Sequence, residues 1–149
     1  MFFLDLMEAV IARLRPSRRE SRGRSDSRAV GDAAEEYALE LLRKAGFRLI
    51  EQSLRDDVGE LDFVGKQKGF DGIVVVEVRA RKAGGLVEPK DSVNRKKQRQ
   101  VVKTARRLLP RHGLKGKVRY DIVGVWLDKA GIPTRAERYE SAFDASVLK

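Results

Sequence analysis

The chain has no cysteine and a single histidine. The first absence removes disulfides, thiolate catalysis and Cys-based zinc sites together, and it fits a reducing cytoplasm, the expected location. The lone His112 lies in Pro110-Arg111-His112-Gly113, a turn-like segment, and reads as a loop residue rather than a ligand or general base. Aromatic residues make up only 7%, so the core has to be built mainly from Val, Leu, Ile and Ala. No apolar run is long enough to span a bilayer. Residues 1–14 also lack the basic lead-in and small-residue cleavage site of a secretory signal. Gly84-Gly85 is not part of the Gly-Lys-Ser/Thr pattern of a Walker loop, and no small-molecule cofactor is expected. The chain shows no internal repeat.

What is present in excess is positive charge. Lys and Arg number 32 against 22 Asp and Glu, for a net charge of +10 over 149 residues. That balance favours a polyanionic partner, DNA, RNA or an anionic membrane surface, over a solvated surface that is merely basic, and DNA is expected over RNA. The length suits one compact domain. Residues 1–14 place Phe2, Phe3, Leu6, Met7, Val10, Ile11 and Leu14 on one helical stripe, with Asp5 and Glu8 on the polar side. Docking on the domain and a homodimer contact are the favoured readings of this stripe. The acidic residues disfavour an anionic membrane surface. Residues 15–29 are rich in Arg and Ser and read as a basic flexible linker. Residues 30–149 form the domain.

Within the domain, Gly31-Asp32 predicts a helix start with Asp32 as N-cap. Ala34, Tyr37, Ala38, Leu41, Leu42 and Ala45 form its buried face, and Gly46 is its stop. Strands are predicted over 47–52, 58–65 and 73–80, the last two joined as a hairpin across KQKGFDG. A second helix follows Pro89 and ends at Pro110. Its apolar positions include Val93, Val101, Val102, Ala105, Leu108 and Leu109. Further strands are expected over 118–127 and 134–139.

Period-two alternation sets Glu60, Asp62 and Val64 on one face of the second strand, and Leu61 and Phe63 on the other. In the third strand Val75, Glu77, Arg79 and Arg81 share a face. A hairpin centred near Gly69 brings Asp62 and Glu77 within cross-strand reach. Two carboxylates on a valine-rich strand pair repel, and a bound Mg²⁺ or Mn²⁺ relieves that repulsion while activating water and phosphate. An ordinary ion-pair network with Arg79, Arg81 or Arg119 explains the same spacing equally well. Glu35 on the first helix is placed to face the sheet. Lys97, one turn before Val101, also looks inward, with Gln98 beside it. Arg81, Lys82, Arg95, Lys96, Arg99 and Lys103 crowd the same region and read as a phosphate-backbone surface. Arg119 and Asp121 share a face and read mainly as structural charges.

Taken in order, Gly31-Asp32-Ala33-Ala34-Glu35, Gly59-Glu60-Leu61-Asp62-Phe63, Val76-Glu77-Val78-Arg79-Ala80-Arg81, Ser92-Val93 with Lys97-Gln98, Arg119-Tyr120-Asp121 and Ala142-Phe143 resemble the YraN-like family of small bacterial proteins. That family is similar to the restriction-endonuclease-like superfamily, near the Holliday-junction resolvases. The resemblance covers roughly residues 30–144. It implies a mixed sheet of four to five strands flanked by helices in the order α-β-β-β-α-β-β. It also implies a PD-(D/E)-x-K type site, with Asp62, Glu77 and Glu35 as metal-site carboxylates and Arg79 where that motif usually has Lys. Lys97 and Gln98 match the polar pair on the second helix. Arg79 stays protonated and cannot be a general base, so Lys97 is the candidate for the missing Lys. Two functions are therefore expected: a Mg²⁺- or Mn²⁺-dependent endonuclease acting on DNA, branched or structured DNA included, or a weak or inactive nucleic-acid-binding module of the same fold.

Overall fold

The computed structural model describes residues 24–149, with side chains described from residue 27 onward. The amphipathic residues 1–14 and most of the basic segment 15–29 lie outside the described residues. Helix α1 spans Arg24–Lys44, so it begins one to two turns before Gly31-Asp32. Asp32 is inside the helix and not its N-cap. Arg, Ser and Ala over 24–29 carry no strong helix breaker. Val30 then packs on the cluster beneath α1, which rewards the extension. The helix stops where expected: the Ala45 N–H donates back to the Leu41 carbonyl, and Gly46 takes φ +91°, the left-handed geometry that favours glycine.

Five strands form one sheet in the order β1-β2-β3-β4-β5. They are β1 (Phe47–Arg55), β2 (Glu60–Gln67), β3 (Ile73–Lys82), β4 (Val118–Leu127) and β5 (Pro133–Phe143). The first three pair antiparallel, β3 and β4 run parallel, and β5 returns antiparallel. A parallel neighbour needs a crossover. Here it carries a 3₁₀ turn, Pro89–Ser92, and helix α2, Arg95–Arg111. The element order α-β-β-β-α-β-β is the one expected from the sequence.

Alternation along β3 decides the two cores. Ile73 and Val75 join Val101, Val102, Ala105, Leu108 and Leu109 of α2. Val74 and Val76 join Ala34, Tyr37, Ala38 and Leu42 of α1. The helices therefore cover opposite faces, and β3 is buried on both, as its valine run requires. Ala45 is exposed, while Ala33 and Leu39 complete the buried face of α1.

One prediction of facing fails. Leu61 packs with the α2 cluster and Phe63 with the α1 cluster, so they do not share a face. The partner strand does the same between Gln52, paired with Phe63, and Leu54, paired with Leu61. Ser53, between them, adopts φ +54°. A left-handed residue turns the strand and breaks the period of two. Asp62 lies opposite this kink.

Candidate functional site

The β2–β3 ladder is short: its pairs are Phe63↔Val76, Val64↔Val75 and Gly65↔Val74. Beyond them the strands part, while β3 stays paired with β4 through Lys82. The result is a fork in the sheet, open toward the C-terminal end of β3. Asp62 occupies it. Its Oδ2 accepts the Val78 backbone N–H at 2.8 Å, in the place where a ladder bond would otherwise form. Continuing the register beyond Phe63↔Val76 puts Glu77 across from Asp62, and both carboxyls line one crevice.

A crevice of about 240 Å³ opens at the fork, and its walls come from three layers: Glu35 and Ala34 of α1, Glu60 and Asp62 of β2 with Glu77 and Arg79 of β3, and Lys97 of α2. Asn94 caps α2, its side chain accepting the Lys97 N–H at 2.9 Å. Pro89 packs against Gly124 of β4, where a Cβ would lie 2.9 Å from the Pro89 ring. The cap fixes where α2 begins, and the Pro89 contact seats the turn before it against β4. Lys97 Nζ accordingly lies 3.4 Å from Glu77 Oε1, and Arg79 Nε lies 4.0 Å from the same oxygen.

Glu77 is 4% exposed. Its other oxygen, Oε2, is buried with no hydrogen-bond partner, and Arg79 Nε is likewise unpartnered. Burial pushes the Glu77 carboxyl up, and the Asp62 charge pushes it further, against the pull of Lys97 and Arg79. Burial also raises Asp62, with Glu60 adding to it, while the Val78 N–H and Lys97 oppose. Glu35 is raised to about 7, first by burial and then by the Asp62 charge, with a hydrogen bond from Gln52 working the other way. Three carboxyls near one crevice thus hold protons more tightly than usual because neither solvent nor enough cations reach them.

The predicted carboxylates do not act alike. Asp62 and Glu77 form a pair. Glu35 lines the crevice and feels Asp62, but among the described residues no three His, Asp or Glu side chains are gathered as a metal-holding group. The unpartnered Glu77 oxygen beside Asp62 fits a divalent cation, which prefers carboxylate oxygens and would take the acceptor capacity left over there.

The predicted basic residues also divide. Arg81 lines the crevice and donates to the Ala80 carbonyl at 2.8 Å, and Lys82 is exposed at the end of β3. Arg95, Lys96, Arg99 and Lys103 line a separate groove of about 610 Å³ along α2. Gln98 is tied to its own helix start, donating to the Val93 carbonyl at 2.9 Å. The groove's far wall is the β1–β2 turn, pinned where a Cβ on Gly59 would meet Thr104 Oγ1 and where Arg107 clamps Asp56 with two hydrogen bonds. Arg107 is thereby spent on Asp56, whose carboxyl it holds well below the usual range.

Arg119 and Asp121 are structural, as expected, and a partner the sequence did not point to completes them. Asp121 is fully buried on the α1 face. It accepts from Arg119, from Arg138 of β5 and from the Ser141 backbone, at 2.8–3.1 Å. Arg138 carried no signal, since it lies on an alternating polar strand. Gln52 was missed for the same reason, and Glu60, placed on the Asp62 face by the alternation, was given no role although it lines the crevice.

Residues 34–125, which hold all of these crevice residues, match the uncharacterised protein family UPF0102. Among the relatives, a UPF0102 protein of Persephonella marina is 38% identical over 96 residues, covering 64% of this chain and 81% of its own. One from Rhodopirellula baltica is 38% identical over 118 residues, 78% of this chain and 71% of its own. One from Myxococcus xanthus is 36% identical over 126 residues, 83% and 95%. With most of both chains aligned at this identity, the protein belongs to the uncharacterised family UPF0102, the YraN-like family to which its ordered motifs point.

Proposed function

We propose that this protein is a divalent-metal-dependent phosphodiester hydrolase acting on DNA, structured or branched DNA included. The observation that carries the reading is the Asp62–Glu77 pair in the sheet fork, with a buried carboxylate oxygen unused and two cations beside it. Such a pair is costly for folding alone. Asp62 and Glu77 would hold Mg²⁺ or Mn²⁺, which when bound supplies charge for a phosphoryl oxygen and lowers the pKa of water. Lys97 and Arg79 line the same crevice and would bind the phosphate, Arg79 through its unpartnered Nε–H. Glu35, with its proton leaving near neutral pH, is suited to take a proton from the attacking water. The groove along α2, with Arg95, Lys96, Arg99 and Lys103, would carry the flanking backbone.

A second reading is a binding module without turnover. The specific observation in its favour is that Lys97 already neutralises Glu77 at 3.4 Å, while Arg stands where the motif usually has Lys.

Calorimetric titration of Mg²⁺ or Mn²⁺ into the wild type and Asp62→Asn tests both. Binding to the wild type that disappears in the variant, followed by DNA cleavage lost in Asp62→Asn and Glu77→Gln with DNA binding retained, is the expected result. DNA binding without metal uptake or cleavage, even with DNA present, selects the binding module.

A further inference from the structure

Two cations face Glu77, and they are not equivalent. Lys97 Nζ lies 3.4 Å from Glu77 Oε1 and Arg79 Nε lies 4.0 Å from the same oxygen, while Oε2 has no hydrogen-bond partner. Arg79 is anchored on the central strand, one residue beyond the Val78 N–H that Asp62 accepts. Lys97 arrives from α2 on a flexible four-carbon stem. Asn94 fixes its backbone N–H at 2.9 Å, but its side chain is 28% exposed where that of Glu77 is 5% exposed. We propose that Lys97 is a displaceable counter-ion: it holds Glu77 in the resting protein and leaves it for a DNA phosphate when a divalent cation takes its place, so that cation and DNA bind together. The inference rests on the hydrolase reading and adds an order of assembly to it.

Three arguments select Lys97 for this role. The first is capacity. Asp62 Oδ2 is engaged by the Val78 N–H, and Glu77 Oε1 faces Lys97. A divalent cation on Glu77 would share that carboxylate with the ammonium, and two positive charges a few ångströms apart at a buried site repel strongly. The second is mobility. An ammonium is a point charge with rotatable donors and changes acceptors by rotating its stem, whereas a guanidinium binds through a planar fork. With the start of α2 fixed by its cap, only the Lys97 side chain has to move. The third is destination. Taking Lys97 away and putting nothing in its place would leave Glu77 buried and less compensated, which is costly. Lys97 lines the crevice, and the cationic groove carrying Arg95, Lys96, Arg99 and Lys103 lies along the same helix. A DNA backbone on that groove offers a phosphate to Lys97 while the divalent cation neutralises Glu77, so each charge keeps a partner.

The test titrates Mn²⁺ into the full chain, with and without a short DNA duplex, and reads uptake from the electron paramagnetic resonance of the free ion. The wild type is expected to take up Mn²⁺ weakly alone and more tightly with duplex present. Lys97→Met and Lys97→Gln should tighten Mn²⁺ binding to the DNA-free protein by about tenfold and shrink the gain that duplex brings. Lys96→Met, which removes the neighbouring charge from the α2 groove, should do neither. Unchanged or weaker Mn²⁺ binding in the Lys97 variants, an undiminished gain from duplex, or the same tightening in Lys96→Met overturns the inference and leaves the hydrolase reading standing. A wild-type affinity that duplex does not raise overturns it even if both Lys97 variants fail to fold. Mn²⁺ uptake by none of the proteins, duplex present or absent, removes the hydrolase reading and this inference with it.

Discussion

Two buried carboxylates sit in the central strands of the same sheet and have opposite fates. Asp121 of β4 receives donors from Arg119, Arg138 and the Ser141 backbone, so both of its oxygens are fully used. Glu77 of β3 has two cations at 3.4 and 4.0 Å on one oxygen and no hydrogen-bond partner on the other. A satisfied buried charge is scaffold: it fixes where β4 and β5 meet. An under-satisfied one costs stability and implies a ligand. The difference arises from topology. Asp121 lies at the β4–β5 register shift between Tyr120↔Phe143 and Ile122↔Tyr139, where the freed Ser141 N–H and Arg138 reach it, whereas Glu77 lies where β2 has left the sheet and brings no such donors.

The largest effect that would separate the two is on stability. Asp121→Ala strands two mostly buried guanidinium groups, and a loss of about 3–5 kcal/mol is expected in urea unfolding. Glu77→Gln removes a repulsion from Asp62 and should leave stability unchanged or raise it. If both variants lost several kcal/mol, the contrast would collapse and Glu77 would be scaffold as well.

Next in size is the pH dependence of stability. Glu35, Asp62 and Glu77 all have raised pKa values in the folded protein. The folded state therefore binds more protons than the unfolded one above the ordinary carboxyl range, and stability must fall as pH rises. For Glu35 the window runs from its ordinary 4.5 to about 7. Thermal melts of the wild type should lose stability from pH 5 to pH 8, and Glu77→Gln should flatten the curve. A wild-type curve that is already flat would mean that the fork carboxyls are solvated.

The smallest effect concerns the cations. Those around Asp121 are committed to it, while Arg99 lines the open α2 groove. Arg99→Gln should lower the salt slope of DNA binding by about 0.9 if it neutralises one phosphate of a duplex. Arg135→Gln, whose guanidinium stacks on Trp126 and does not line that groove, should leave the slope as it is. Equal changes in both would dissolve the distinction between a polyanion track and general surface charge.

Much of this was legible beforehand. The valine alternation of β3 announced a strand buried on both sides. Gly46 marked a helix end, and the hairpin about Gly69 set Asp62 beside Glu77. Lys97 was readable as inward-facing because it continues the apolar row of α2. What could not be read were contacts whose partners lie far apart in the chain, or whose backbone departs from the regular period. The kink at Ser53 falls in this class: nothing in a polar strand residue signals φ +54°, yet it moves Leu61 and Phe63 to opposite faces. The early start of α1 was hidden because a polar Arg/Ser segment is compatible with either helix or coil until Val30 finds a surface.

The sequence by itself determined the element order, the two apolar faces and which acidic residues sit on central strands, because those follow from local periodicity. Only the tertiary structure decided which of those acids are neutralised. Asp121 is completed by Arg138, a residue 17 positions away, and Glu77 is left short because the β2–β3 ladder ends at Phe63↔Val76. The satisfaction of a buried charge depends on donors brought from distant segments, and no local pattern encodes their arrival.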